Sequence, residues 1–310
     1  MPPFDSSYRG RFAPSPTGPL HFGSLVTAVG SYLDAKSRHG VWLVRMEDLD
    51  TPRCLTGADK NILDTLAVFG LVSDEPVLYQ SRRTAAYESA LLQLQKMNAT
   101  YLCDCSRKAI TESAQIGIEG AIYPGTCRHR ISINHNHSAS RVRTDQLAEI
   151  RFEDRLQGNI HQLIESEIGD FVVKRADGLF AYQLAVVVDD AFQGITDVVR
   201  GCDLLTSTAR QIALQNLLNL PTPRYAHLPI AVNVAGEKLS KQTLANPVDA
   251  EHPVATLWQV LEFLQQQPPI NLRRQSLAAL WQWALENWRS EHLVGLRSLP
   301  AVTNKLTNCR

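Results

Sequence analysis

The chain has 310 residues, is 44% hydrophobic and carries no formal net charge, with 31 basic and 31 acidic residues. That size supports a substantial core in about two or three structural units, and the charge balance excludes nucleic-acid binding by bulk electrostatics, so an RNA partner would need a local patch. No apolar run reaches the roughly 18 residues of a membrane span, the N-terminus lacks a charged-then-apolar leader pattern, and the six cysteines, three of them clustered, suit a reduced cytoplasm with one metal site better than a disulfide scaffold.

Arg11-Phe-Ala13 reads as a strand end. Pro14, Pro16, Gly18 and Pro19 then forbid regular structure and stiffen a loop. Leu20, Leu25, Val26, Val29 and Leu33 follow at helical spacing. The stiff loop therefore delivers the chain into a helix N-terminus at His21 and Gly23, where backbone N–H groups and a positive dipole end suit a phosphate. Val41–Met46 reads as a strand that runs into the acidic cluster Glu47-Asp-Leu-Asp50. Thr51-Pro52 looks like an N-cap and first helical position, and the helix stops at Gly70. Two β-α units in a row predict a parallel, doubly wound sheet with ligands at its strand C-termini.

Residues 84–180 differ in texture. A helix over about 84–98 leads into Tyr101-Leu-Cys-Asp-Cys105, and Tyr123-Pro-Gly-Thr-Cys127-Arg-His-Arg130 follows. Cys103, Cys105 and Cys127 offer three thiolates for a structural zinc, with His129 the conventional fourth donor; three buried apolar thiols are the alternative. Asn134-His-Asn-His137 reads as a polar loop. Ile150-Arg-Phe-Glu-Asp154 and Phe171-Val-Val-Lys-Arg175 alternate like strands. The segment looks like an insertion between two halves of the sheet domain.

The first texture returns at 181–235. The apolar run Leu184–Val188 reads as a buried parallel strand ending at Asp189-Asp190. A strand at Ile195–Val199, a helix around Thr208–Leu218 and a strand at His227–Val234 follow. Gly236-Glu-Lys-Leu-Ser-Lys241-Gln then sets two lysines three apart on a loop, an arrangement fit to compensate a triphosphate as the bond at its α-phosphate breaks. Residues 243–310 are mostly helical, with Trp258, Trp281, Trp283 and Trp288 as core candidates. Arg273, Arg274, Arg289 and Arg297 supply either a basic patch or a solvated face.

His21-Phe-Gly-Ser24 and Lys238-Leu-Ser-Lys-Gln242 resemble the two signature motifs of class I aminoacyl-tRNA synthetases. Arg11-Phe-Ala-Pro-Ser-Pro-Thr-Gly18, Arg45-Met-Glu-Asp-Leu-Asp50 and Val187-Val-Asp-Asp190 are similar to the glutamyl-specific branch. The short helical tail after the Lys-Leu-Ser-Lys loop and the Cys-x-Cys…Tyr-x-x-x-Cys pattern resemble the truncated paralogue family, the glutamyl-queuosine tRNA(Asp) synthetases.

The resemblance implies an α/β fold: a Rossmann-type parallel sheet split by a zinc-bearing insertion, with a small helical C-terminal domain. Residues 1–83 and 181–235 would form the catalytic domain, 84–180 the acceptor-binding insertion, and 236–310 the Lys-Leu-Ser-Lys loop and a stem-contact-like helical domain, with no anticodon-binding domain. It implies ATP-dependent formation of glutamyl-adenylate and transfer of glutamate to queuosine in the anticodon loop of tRNA(Asp), by a cytoplasmic monomer. By resemblance ATP, with Mg²⁺, meets His21, Gly23, Ser24, Lys238, Ser240 and Lys241, of which His21, Lys238 and Lys241 are catalytic. Glutamate meets Arg11, Phe12, Ala13, Pro14, Ser15, Glu47, Tyr182 and Arg200, and zinc meets Cys103, Cys105, Tyr123 and Cys127. From the residues alone, Arg200 and Glu47 are equally a structural ion pair. Asp48, Asp50, Asp189 and Asp190 are either Mg²⁺ or ribose contacts or helix caps. A short glutamyl-tRNA synthetase charging the 3′ end of tRNA(Glu), a related nucleotidyltransferase and a non-catalytic RNA-binding derivative are the rival readings.

Overall fold

β1 (Arg9–Phe12) is the strand on which the architecture turns, with β2 (Val41–Met46) parallel on one side and β11 (Asp197–Gly201) parallel on the other. The computed structural model describes residues 8–130, 137–233, 236 and 247–301. Between β1 and β2 runs α1 (Phe22–Lys36); α2 (Ala58–Val68), β3 (Leu78–Tyr79) and α3 (Thr84–Lys96) complete the first part. The middle holds β4 (Thr100–Cys103), α4 (Arg107–Ser113), β5 (Ile116–Gly117), β6 (Gly120–Ala121), β7 (Ala139–Val142), β8 (Ile150–Asp154), β9 (Gly158–Gln162), α5 (Ile164–Glu167) and β10 (Val172–Lys174). Then come α6 (Tyr182–Phe192), β11, α7 (Ser207–Leu218), β12 (Arg224–Leu228), β13 (Ile230–Val232), α8 (Pro253–Phe263), α9 (Leu277–Asn287) and β14 (Ser298–Pro300).

Seven strands form one sheet in the order β3-β2-β1-β11-β12-β8-β9, parallel throughout except for the β8–β9 hairpin. Period-two alternation divides its core. Trp42, Val44 and Met46 of β2 face the layer of α1, α8 and α9, while Leu43 faces that of α3, α6 and α7. Val199 and Val198 of β11 split the same way. Gly30 lets α1 lie close against β12, since a Cβ there would meet Leu228 Cδ1 at 2.6 Å. The indole N–H of buried Trp42 donates to Ser31 Oγ at 3.0 Å, which satisfies the one polar atom of a large apolar group. β4, β7 and β10 form a separate antiparallel sheet.

The expected α/β fold is present, with parallel sheet and helical C-terminal region. That region shares the first core: Leu257, Val260, Leu261, Leu280 and Trp288 are buried in it, and Trp281 donates to the Phe69 carbonyl at 2.7 Å. The other tryptophans, 258, 281 and 283, pack against the same core.

Some local expectations are corrected. Leu184–Val188 is the middle of helix α6, not a strand. Leu184, Ala185, Val186, Val187, Asp189 and Asp190 are all buried there, because α6 lies between the sheet and helices α3 and α7. A helix covered all round loses its polar face, and a short apolar run then reads equally as strand. The hairpin at 150–162, which falls within the 84–180 segment, extends the main sheet beside β12. Thr51-Pro52 begins only a 3₁₀ turn, Thr51–Arg53; the helix starts at Ala58, after Gly57 with φ +76°. The strand expected at 227–234 breaks at Pro229, which lacks the N–H to continue the ladder; β12 ends before it and β13 pairs with β14 instead.

Candidate active site and metal cluster

The crevice opens where the sheet connections diverge: β1 continues through α1 toward β2, and β11 continues through α7 toward β12. Ligands of open α/β sheets bind at such a switch point, beyond the strand C-termini. A cavity of about 420 Å³ lies there. Every described residue that the sequence reading placed with ATP or glutamate lines it: Arg11, Phe12, Ala13, Pro14, Ser15, His21, Gly23, Ser24, Glu47, Tyr182 and Arg200. Lys238, Ser240 and Lys241 lie outside the described residues. Thr17, Thr27, Arg53, Asp203, Pro229 and the β13 residues Ile230 and Ala231 also line the cavity. Thr17 belongs to the Arg11–Gly18 motif; the others carry no motif of their own and arrive there through the topology.

At one end of the cavity stands the N-terminus of α1. His21 is its N-cap, with Nδ1 accepting from the Ser24 amide at 3.3 Å and Nε2 within 3.1 Å of the Ser24 hydroxyl. The first turn carries no acidic residue, so the positive dipole end faces the cavity uncompensated from its own helix.

The rest of the lining includes two charged walls of different construction. On the first, Asp190 accepts from Arg11 Nε at 3.0 Å, Arg11 Nη2 at 3.3 Å and Arg45 Nη1 at 2.8 Å. Arg45 also reaches Gln193 at 2.9 Å and Glu47 at 3.5 Å. Two guanidinium groups thus meet two carboxylates. Burial alone would raise the Asp190 carboxyl, but Arg11 and Arg45 hold it below the usual range. Glu47, nearer the edge of this set, is raised, chiefly by burial, with Arg45 and Arg11 opposing.

On the second wall, Arg200 Nη1 donates to the Tyr182 hydroxyl at 3.1 Å, Nη2 to Thr208 Oγ1 at 2.8 Å and to the Leu204 carbonyl at 3.3 Å. Its Nε donates to His227 Nε2 at 3.0 Å. None of these partners is a carboxylate. Arg200 and Glu47, weighed as a structural ion pair, do not form one: Glu47 pairs with Arg45.

The remaining acidic candidates are taken up by protein partners. Asp48 accepts from the Ser81 amide and hydroxyl, and Asp50 pairs with Arg53 and Arg175. Asp189 accepts from Gln80, Arg83 and Tyr87. Asp189 and Asp190 lie on helix α6, so the expected strand-end placement is overturned.

Away from the cavity, Cys103 at the end of β4, Cys105 and Cys127 bring their sulfurs within 4.8 Å of one another. All three are free thiols. The Tyr123 hydroxyl is 3.3 Å from the Cys103 sulfur and 3.5 Å from that of Cys105, and accepts from the Cys127 amide at 2.9 Å. His129, the other fourth donor considered, is exposed and outside this cluster. Burial foremost, with the neighbouring sulfurs, pushes Cys105 up to about 11. Three converging thiols and a phenol oxygen fit a closed tetrahedral zinc site, whose cation would favour the thiolate forms. Arg141 lies over the Tyr123 ring at 4.1 Å and Arg130 donates to the Cys127 sulfur at 3.6 Å, two cations placed against an anionic donor set.

The profile of the class I tRNA synthetases (E and Q), catalytic domain, matches residues 7–258. The chain belongs to that family. A "Glutamyl-Q tRNA(Asp) synthetase" from Dechloromonas aromatica is 57% identical over 286 residues, covering 92% of this chain and 95% of the relative. Another of that name, from Pseudomonas aeruginosa, is 48% identical over 295 residues, covering 95% and 98%. Within the class I synthetases the chain therefore falls among the glutamyl-Q tRNA(Asp) synthetases, a family of ligase-type enzymes. A crystal structure of glutamate-tRNA synthetase from Elizabethkingia anophelis superposes with a TM-score of 0.76 at 24% identity, covering 94% of this chain and 68% of that one, and shares the synthetase fold. Among the described residues no helix is long and apolar enough to cross a membrane.

Proposed function

We propose that this enzyme activates L-glutamate with ATP and transfers the glutamyl group to the queuosine base in the anticodon loop of tRNA(Asp); relatives named glutamyl-Q tRNA(Asp) synthetases support this reading. The observation that carries the reading is one cavity lined both by an uncompensated helix N-terminus and by a carboxylate-free arginine. ATP takes the α1 end, with His21, Gly23 and Ser24, joined by Lys238, Ser240 and Lys241 and accompanied by Mg²⁺. Glutamate takes the other end. Its ammonium group suits Glu47, and one carboxylate suits Arg200 and Tyr182, since Arg200 lacks an acidic partner whereas Arg11 is already matched by Asp190. Phe12, Ala13, Pro14 and Ser15 line the same cavity.

In this arrangement a carboxylate oxygen of glutamate attacks the α-phosphorus of ATP, and pyrophosphate leaves. A hydroxyl of the acceptor then attacks the mixed anhydride, loses its proton and displaces AMP. No side chain becomes covalently bonded. His21, Lys238 and Lys241 act by positioning and by stabilising charge that develops on the phosphates. Cys103, Cys105, Cys127 and Tyr123 would hold a zinc ion that braces the 84–180 segment, with no open position for substrate. The enzyme works in the cytoplasm as a monomer.

Glutamate-dependent ATP–pyrophosphate exchange in the absence of RNA tests the first step, and Lys241→Ala should abolish it in a folded protein. Labelled glutamate presented with tRNA(Asp) containing or lacking queuosine tests the second. Label that follows queuosine is the expected result. Label on the 3′ end of queuosine-free tRNA(Glu) would instead make this a short glutamyl-tRNA synthetase.

A further inference from the structure

Behind Arg200, and away from the cavity lining, lies a chain of buried polar groups for which the glutamate-binding roles give no use. His227 Nδ1 is 2.5 Å from Asp154 Oδ2, and both side chains are fully buried, at 0% exposure. Asp154 Oδ1 accepts three backbone amides besides, from Leu156 at 3.0 Å, Gln157 at 2.9 Å and His227 itself at 3.2 Å. On its far side the imidazole meets Arg200 Nε at 3.0 Å and Thr208 Oγ1 at 3.3 Å. Tyr225 stacks on the ring, with centroids 6.2 Å apart.

The chemistry of these partners sets the tautomer. A guanidinium N–H can only donate, so His227 Nε2 accepts from Arg200 and carries no proton. The proton sits on Nδ1 and points at the Asp154 carboxylate. A protonated imidazole would aim an N–H at an N–H, and the ring is therefore neutral. The acid that balances Arg200 thus stands one ring away, and the guanidinium is held without being neutralised by contact. Compare Arg11, whose Nε and Nη2 are both spent on Asp190. Arg200 keeps hydrogen-bonding capacity on Nη1, beside a Tyr182 hydroxyl whose own proton is free to donate.

We propose that Asp154 and His227 form a positioning dyad: they fix the Arg200 guanidinium through a neutral imidazole, and so keep its charge for a carboxylate of the bound substrate. Neither touches that substrate; both act through Arg200. The proposal rests on glutamate as the ligand of this end of the cavity. It also explains why β8, inside the segment that otherwise reads as an insertion, belongs to the main sheet. Pairing beside β12, with Asp154 in register with Tyr225, brings the Asp154 carboxylate within hydrogen-bond reach of His227 two residues on.

The test uses the full-length protein, with the wild type first shown to catalyse glutamate-dependent ATP–pyrophosphate exchange; absence of that exchange would refute the glutamate reading itself rather than the dyad. His227→Phe keeps a planar aromatic ring, slightly larger than imidazole, and removes both hydrogen bonds. It should raise the KM for glutamate at least tenfold and reduce the preference for glutamate over glutamine, while kcat and the KM for ATP stay within about twofold. His227→Gln can still accept from Arg200 and donate to Asp154, and should recover most of the loss. Asp154→Asn keeps shape but removes the anion, and should give an intermediate KM. A second measurement needs no variant: ¹⁵N-histidine spectra of the wild type should show one imidazole locked in the Nδ1–H tautomer, its shifts responding to added glutamate. An unchanged glutamate KM in folded His227→Phe, an equal loss in the KM for ATP, or an Nε2–H tautomer each overturns the dyad.

Discussion

The two charged walls of the cavity use the same residue type in opposite ways. Arg11 and Arg45 share Asp190 and Glu47, so that wall is internally neutral and exists as a structural unit. Arg200 is bound just as firmly, but through two hydroxyls, a carbonyl and an imidazole. The first wall binds β1, β2 and α6 together; the second holds a cation that no carboxylate neutralises by contact. Burial of an arginine thus says little about its role until its partners are named.

The comparison gives a ranked set of expectations. The largest effect should come from Asp190→Asn, which strands two buried guanidinium groups. Loss of one member of a buried ion pair costs about 3–5 kcal/mol, read as a fall in urea-unfolding free energy. A loss below about 1 kcal/mol would mean that the first wall is not the structural unit described. Arg200→Gln should behave differently. Removing a cation that makes no direct ion pair should cost less unfolding free energy than Asp190→Asn, while glutamate affinity falls about 10- to 100-fold, as for the loss of a charge-assisted hydrogen bond. Titration calorimetry with glutamate, then with an ATP analogue, separates this from general damage.

The pH dependence of stability sharpens the contrast further. Burial first, and the nearby Arg200 charge, lower His227 from its ordinary value of 6.5 to about 4, against the pull of Asp154. Between those values the unfolded chain binds a proton that the folded one refuses. The stability from this group is therefore complete above about pH 6.5 and is lost as pH falls toward 4. The lowered carboxyls Asp154 and Asp190 act below that window, since their unfolded value is 3.8. Subtracting the His227→Gln curve from the wild-type curve isolates the effect, and parallel curves would contradict it. The smallest change expected is from His21→Ala, where loss of the side-chain cap on α1 costs about 0.5–2 kcal/mol of stability, visible as a small drop in thermal midpoint.

Much of this was legible in the chain. The proline-bound loop, the helix after it and the acidic strand end were placed by residue type alone, because Pro14, Pro16 and Pro19 restrict φ and Leu25, Val29 and Leu33 mark one helix face. The close trio of cysteines also declared itself. What stayed hidden was of two kinds. Helix α6 has no exposed residue between Leu184 and Asp190, so Leu184–Val188 carries no period to distinguish it from a strand. Asp154 and His227 are 73 residues apart, and only the parallel pairing of β8 with β12 brings them together. The alternation of Ile150–Asp154 revealed a strand but not which sheet it would join.

One modest pairing has a wider reach. Ile230 and Ala231 form part of the cavity wall, and β13, which contains them, is hydrogen-bonded to β14 at the far end of the sequence. Nearby, Gln157 bridges the His227 and Leu296 carbonyls at 2.9 and 3.0 Å, and the Gly295 amide donates to Leu156. The tail is therefore a strut for the pocket. A nick or deletion beyond Gly295 would slacken the wall and the turn behind Arg200 together, while every residue facing the substrate remained in place in the sequence.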